Sequence, residues 1–180
     1  HLEQARDLQQ ALTGPVSMEL ALAENDLALL DMDAGRLDRA QELLEHAAGA
    51  ARALRPPDDL ERSTIEGNRG QVLCARGEFE AGLPLLEASL ALKRRVLGES
   101  HARTIADIAR IAQYLEDVGR SEEARAHLEE AVTLSREHLG SDHPTTVASL
   151  SNLATFHLNQ GRGREALPIL RELSLIHISE

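Results

Sequence analysis

Glycine returns at a fixed interval in this 180-residue chain: Gly35, Gly77, Gly119 and Gly161 stand 42 residues apart. Five residues after each comes a small residue, Ala40, Gly82, Ala124 or Ala166, and four further on a leucine, Leu44, Leu86, Leu128 or Leu170. The same step back from Leu44 lands on Leu2. Seven residues before each glycine the residue is again small, Ala28, Gly70, Ala112 or Ala154, and Gly14, Pro56, Gly98 and Gly140 keep the interval at the junctions. A period between roughly 20 and 50 residues marks a stacked architecture, in which each unit buries its apolar face only against its neighbours.

Each unit reads as two antiparallel helices. In the last one Val147, Leu150, Leu153, Ala154 and Phe156 recur at helical spacing, Gly161 ends the helix, and Ala166, Leu167 and Leu170 begin a second apolar stripe. Small residues let two helix axes close to the short end of the roughly 8–10 Å range, which explains why bulk is kept from those positions. At "LGSDHPTT", Gly140 follows one helix and Pro144 suits the first turn of the next. The pattern predicts first helices near 17–33, 60–75, 102–117 and 144–159, second helices near 36–54, 78–97, 120–139 and 162–172, and a lone second helix in residues 1–13. With Phe79, Phe156 and Tyr114 the only aromatic residues and no tryptophan, the core must be leucine, alanine, isoleucine and valine, a mixture that favours helices over sheet.

The units resemble the tetratricopeptide repeat. "HPTTVASLSNLATFHLNQGRGREALPIL" is similar to the long 42-residue variety found in kinesin light chains and in many bacterial regulatory proteins. The resemblance implies an all-α, right-handed superhelical solenoid of antiparallel helix hairpins over residues 1–172, divided as a partial repeat 1–14 and repeats 15–56, 57–98, 99–140 and 141–172. Arg69 departs from the pattern, standing where the other units have Leu27, Ile111 and Leu153. With Gly67 and Gly70 in the same helix, at up to about 1 kcal/mol each relative to alanine, it marks the second unit as the soft spot.

Leu173 breaks the register, since Ala5, Ala47, Ser89 and Ala131 are all small. From there "LSLIHISE" alternates as a strand does and resembles the translated end of a sequencing adapter, so residues 173–180 read as a non-native tail. On that reading the sequence is a fragment of a bacterial protein, cut at both ends and starting at His1 without an initiator methionine.

Thirty acidic residues against 19 basic ones give a net charge of −11, which repels phosphate backbones and anionic lipid at long range. Neither nucleic acid nor a membrane is therefore an expected partner. No apolar run approaches the roughly 20 residues of a membrane span, and the single Cys74 forms no intrachain disulfide, which suits a cytoplasmic protein. The eight histidines show no metal-ligand spacing. His101 and His143, again 42 apart, read as loop or capping residues whose rings bond backbone groups, His157 as a packed ring, and Cys74 as buried filler. Pairs such as Glu122–Glu123 and Glu129–Glu130 read as solvated helix faces. No phosphate cradle or nucleophile elbow is present, so no enzyme, cofactor or metal is expected.

A stack of hairpins offers a groove lined by its first helices, and in proteins this chain resembles the groove binds extended or helical peptides. The residue before each Leu27-equivalent faces it, giving Asp26, Asn68, Arg110 and Asn152, with Asn25, Gln71, Gln113 and Thr155 beside them. An asparagine amide both donates and accepts, so a spaced series pairs with peptide backbone without demanding one side chain. Leu29 and Ala106 stand where a lysine-rich clamp for a C-terminal carboxylate would need polar groups. The expected function is a scaffold that binds a peptide segment of a partner protein. The alternatives are a regulatory or docking region of a larger bacterial serine/threonine protein kinase, and a scaffold for homo-oligomers.

Overall fold

The computed structural model describes residues 16–178, all of whose regular structure is helical. Eight helices follow one another among these residues: α1 Met18–Asp33, α2 Leu37–Leu54, α3 Leu60–Ala75, α4 Phe79–Leu97, α5 Ala102–Asp117, α6 Ser121–Leu139, α7 Pro144–Asn159 and α8 Gly163–Ile178. They form four hairpins whose first helices start and stop within a residue of the positions that the 42-residue register predicts. Leu2, Gly14 and the helix expected in 1–13 lie outside the described residues.

Local chemistry repeats with the same period. Each first helix is capped at its N-terminus by a side chain: Ser17 accepts from the Leu20 amide, Asp59 from Arg62, His101 from Arg103 and His143 from Thr145. The two imidazoles thus cap, as expected, through Nδ1, each 3.1 Å from its amide nitrogen. At the other end Gly35 takes φ 73°, which allows the Arg36 amide to reach back to the Asp31 carbonyl at 2.8 Å. The bond recurs from Glu78 to Leu73, Arg120 to Leu115 and Arg162 to His157.

The helices fall into two compact units, His1–Leu92 and Lys93–Glu180, the division lying within α4. In the first unit α2 packs against both α1 and α3, and the core gathers Met18, Ala28, Ala40, Leu44, Ala47, Ile65 and Val72. The hairpin of α3 and α4 closes most tightly at Gly70 and Gly82. A Cβ on Gly70 would lie 2.8 Å from the Gly82 carbonyl oxygen, and one on Gly82 would lie 2.6 Å from the Gly70 carbonyl oxygen. Two glycines here do what Ala28 and Ala40 do in the first hairpin. Their weak helix propensity is therefore coupled to a close backbone approach, and Cys74, buried as expected, places its sulfur against Gly82.

In the second unit α6 packs against α5 and α7, α7 against α8, and α5 also touches α7. Ile105, Ile108, Ile111, Ala112, Leu115, Ala124, Leu128, Leu150, Ala154, Phe156 and Ala166 are buried. Successive second helices are tied by ion pairs in register, Arg94 of α4 with Glu130 of α6 and Arg136 of α6 with Glu172 of α8.

One expectation is corrected at the C-terminal end. Residues 173–178 continue α8 rather than alternating as a strand, and Leu173 is buried. Leu173 follows Ala166 by seven residues and so continues the helix's own apolar stripe. The two-residue alternation of "LSLIHI" spans too few positions to outweigh the helix already running into it.

Candidate functional site

The expected groove residues separate into two different arrangements, one in each unit. In the first, Asn25 on α1 and Asn68 and Gln71 on α3 are buried and spend their amides on one another. Gln71 Nε2 donates to Asn68 Oδ1 at 2.9 Å, Asn68 Nδ2 to Asn25 Oδ1 at 2.7 Å, and Asn25 Nδ2 to Asp26 Oδ1 at 3.3 Å. The result is an amide relay bridging α1 and α3. Buried amides must be satisfied, and these satisfy each other. Asp26, at the end of the relay, is exposed.

In the second unit the equivalent face is open. Between α5 and α7 lies a cleft of about 380 Å³ lined by Ala106, Ala109, Arg110, Gln113, Pro144, Thr145, Ala148, Ser149 and Asn152. Three expected residues therefore come together there: Arg110 and Gln113 from α5, and Asn152 from α7. Thr155, one turn beyond Asn152 on α7, is exposed but does not line the cleft.

The register explains the difference. Ala106 and Ala148, both exposed, line the cleft where the first unit has Leu22 and Thr64; Ala109, buried with Ser149 at its base, replaces Asn25, the acceptor at the centre of the relay. With only methyl groups on these walls and no asparagine to bridge the helices, the space stays open and the amides at its rim remain available. Arg110 is the only charged residue in the lining. Its Nη1 lies 3.3 Å from Asp107 Oδ1, and the other oxygen of Asp107 accepts from Lys93 Nζ at 2.5 Å. The sequence marked Lys93 only as the single lysine; the charged Asp107, where other repeats have Ala23, Ile65 and Ser149, was the signal that could have pointed to this cluster.

Among the described residues no group of three histidine, cysteine, aspartate or glutamate side chains is placed to hold a metal ion, and no helix is long and apolar enough to cross a membrane. The charged faces are solvated: Arg125 holds the Glu122 carboxyl below the usual carboxylate range, and Arg120 does the same to Glu123.

A family model described as tetratricopeptide repeat matches residues 61–137 and again 104–174, together well over half of the chain. Among solved structures, the nearly identical TPR-like repeats of a kinesin light chain-type protein from P. anserina share 24% identity at a TM-score of 0.81, over 99% of this chain and 84% of that one. BtubC (BKLC) from P. vanneervenii gives 20% identity and a TM-score of 0.82, over 99% and 71%. MamA of MSR-1 gives 19% and 0.63, over 99% and 88%. At these identities the likeness is one of fold. No curated protein matches the chain.

Proposed function

This chain belongs to the tetratricopeptide repeat family, whose arrays are protein-interaction scaffolds, and from that premise we propose that it binds a peptide segment of a partner protein in the cleft between α5 and α7. The observation that carries the reading is the contrast between the units. Where α1 and α3 are bridged by the relay of Asn25, Asn68 and Gln71, the equivalent positions on α5 and α7 leave about 380 Å³ open between walls that carry Ala106 and Ala148.

The chemistry fits a peptide. Gln113 and Asn152, on opposite walls, each offer a donor and an acceptor, the pair of functions that a peptide unit presents in reverse. Small side chains in the lining, Ala106, Ala109, Ala148 and Ser149, let a main chain or one inserted side chain approach closely. The lining of the cleft holds no pairing of nucleophile and base, which suits capture rather than turnover.

The test is selection of a random-peptide phage library on the immobilised chain, then fluorescence anisotropy with the peptide that emerges. Ala148→Leu projects bulk into the cleft from α7 and is expected to abolish binding. Asn152→Ala is expected to weaken it by about three- to tenfold, the worth of one neutral hydrogen bond, with the circular dichroism spectrum unchanged. A peptide bound equally well by the wild type and by Ala148→Leu places binding elsewhere and overturns the proposal.

A further inference from the structure

We infer that Lys93 and Asp107 act as positioning residues behind the α5/α7 cleft, setting its charge so that it selects an occupant bearing a carboxylate; the inference rests on the peptide-binding reading above. Neither residue lines the cleft, yet both control the one charged group that does.

Lys93 is 8% exposed, and a buried ammonium is tolerated only when it is paired. Asp107 is its partner, so the carboxylate's charge is committed to Lys93 before Arg110 shares it. Arg110 touches Asp107 through a single 3.3 Å contact and makes no other ion pair or hydrogen bond among the described residues. Two cations around one anion leave the cluster with one net positive charge. Without Lys93, Asp107 and Arg110 would be a neutral pair one helical turn apart. With it, Arg110 keeps free N–H donors at the cleft, against a whole-chain net charge of −11.

The cluster joins α4 to α5 and is not repeated at the equivalent positions of the register. Stepping by 42 residues, Lys93 is replaced by Ala51 and Ser135, and Asp107 by Ala23, Ile65 and Ser149. A purely structural ion pair needs no guanidinium facing the open cleft, whereas a charge-setting pair does.

Two synthetic probes separate the possibilities: the acetylated, amidated hexapeptide Ser-Ala-Glu-Ala-Ser-Ala and its counterpart with Gln for Glu. Each is titrated into labelled protein at millimolar concentration while NMR follows the Arg110 Nε–Hε resonance and the cleft amides. The wild type is expected to prefer the Glu peptide by about fivefold, the upper worth of a partly exposed ion pair. Lys93→Met should erase the preference, because Asp107 then neutralises Arg110. Lys93→Met with Asp107→Asn should restore it, because Arg110 is again the only charge. This double variant buries no unpaired charge, so it also covers the case in which Lys93→Met alone fails to fold.

A preference that survives Lys93→Met, or one that the double variant lacks, overturns the inference. Equal binding of both peptides by the wild type also overturns it while leaving the peptide-binding reading intact. Failure of both peptides to perturb the cleft resonances contradicts the two together.

Discussion

Gly70 and Gly49 both sit inside helices, and replacing each with alanine should move stability in opposite directions. Alanine gains about 1 kcal/mol over glycine in a helix interior, and at Gly49 of α2 nothing lies within 4 Å of the added Cβ. Gly49→Ala should therefore stabilise by roughly that amount. At Gly70 the same Cβ meets the Gly82 carbonyl oxygen at 2.8 Å, Leu85 Cβ at 3.0 Å and Leu86 Cγ at 3.1 Å. The first of these is backbone and the second is attached directly to it, so relief requires α3 and α4 to separate. Overpacking of this kind costs about 1–3 kcal/mol, and the rigid neighbours put the cost in the upper half of that range. After the propensity gain, a net loss of about 1–2 kcal/mol remains.

Thermal unfolding followed by circular dichroism reads both variants. For a chain of this size each kcal/mol shifts Tm by about 2–4 °C, so Gly49→Ala should melt about 2–4 °C higher than the wild type and Gly70→Ala about 2–8 °C lower. If Gly70→Ala melts as high as Gly49→Ala, the α3/α4 crossing is not tight and the reason given for the small residues fails.

Three further outcomes follow from named contacts. Asn68→Ala removes the middle of the amide relay and strands the Asn25 oxygen and a Gln71 donor, at a cost of about 2 kcal/mol in urea unfolding; loss of under 0.5 kcal/mol would show the relay to be dispensable. His143→Ala deletes the N-cap of α7 and should cost about 1 kcal/mol, whereas His143→Asn, which keeps an acceptor there, should cost much less. Because Arg120 lowers the Glu123 carboxyl, the pair's contribution is present above the usual carboxylate range and is lost as pH falls through the depressed folded-state value; Arg120→Ala should move the Glu123 carboxyl titration, read by NMR, back up, and an unmoved midpoint would refute the pairing.

The hairpins were legible because their determinants are local and periodic. Gly35 and its equivalents stop helices through their own backbone freedom, and Ala40 or Gly82 must be small wherever helices cross closely. The site was only partly legible. Asn68 sits in the groove series by register, but its fate depends on Asn25, which lies 43 residues away on another helix and outside its own series. Ala106 was visible as the absence of a polar clamp; that it also opens a cleft depends on Ala148 facing it from α7. The Lys93–Asp107 pair couples residues that share no repeat position, so periodicity marks Asp107 as a departure without naming its partner. At the C-terminal end the stripe carried forward by Leu173 outweighs a short alternating pattern, and the helix runs on.

The central claim is that the 42-residue register places small residues at the same tight helix crossing in every hairpin. Methyl-selective NOE spectroscopy on alanine-labelled protein tests it directly. The account predicts methyl–methyl cross-peaks for Ala28 with Ala40, Ala112 with Ala124 and Ala154 with Ala166, each pair twelve residues apart and buried. Spectra in which these alanines show contacts to unrelated partners, with none of the three cross-peaks present, would contradict it.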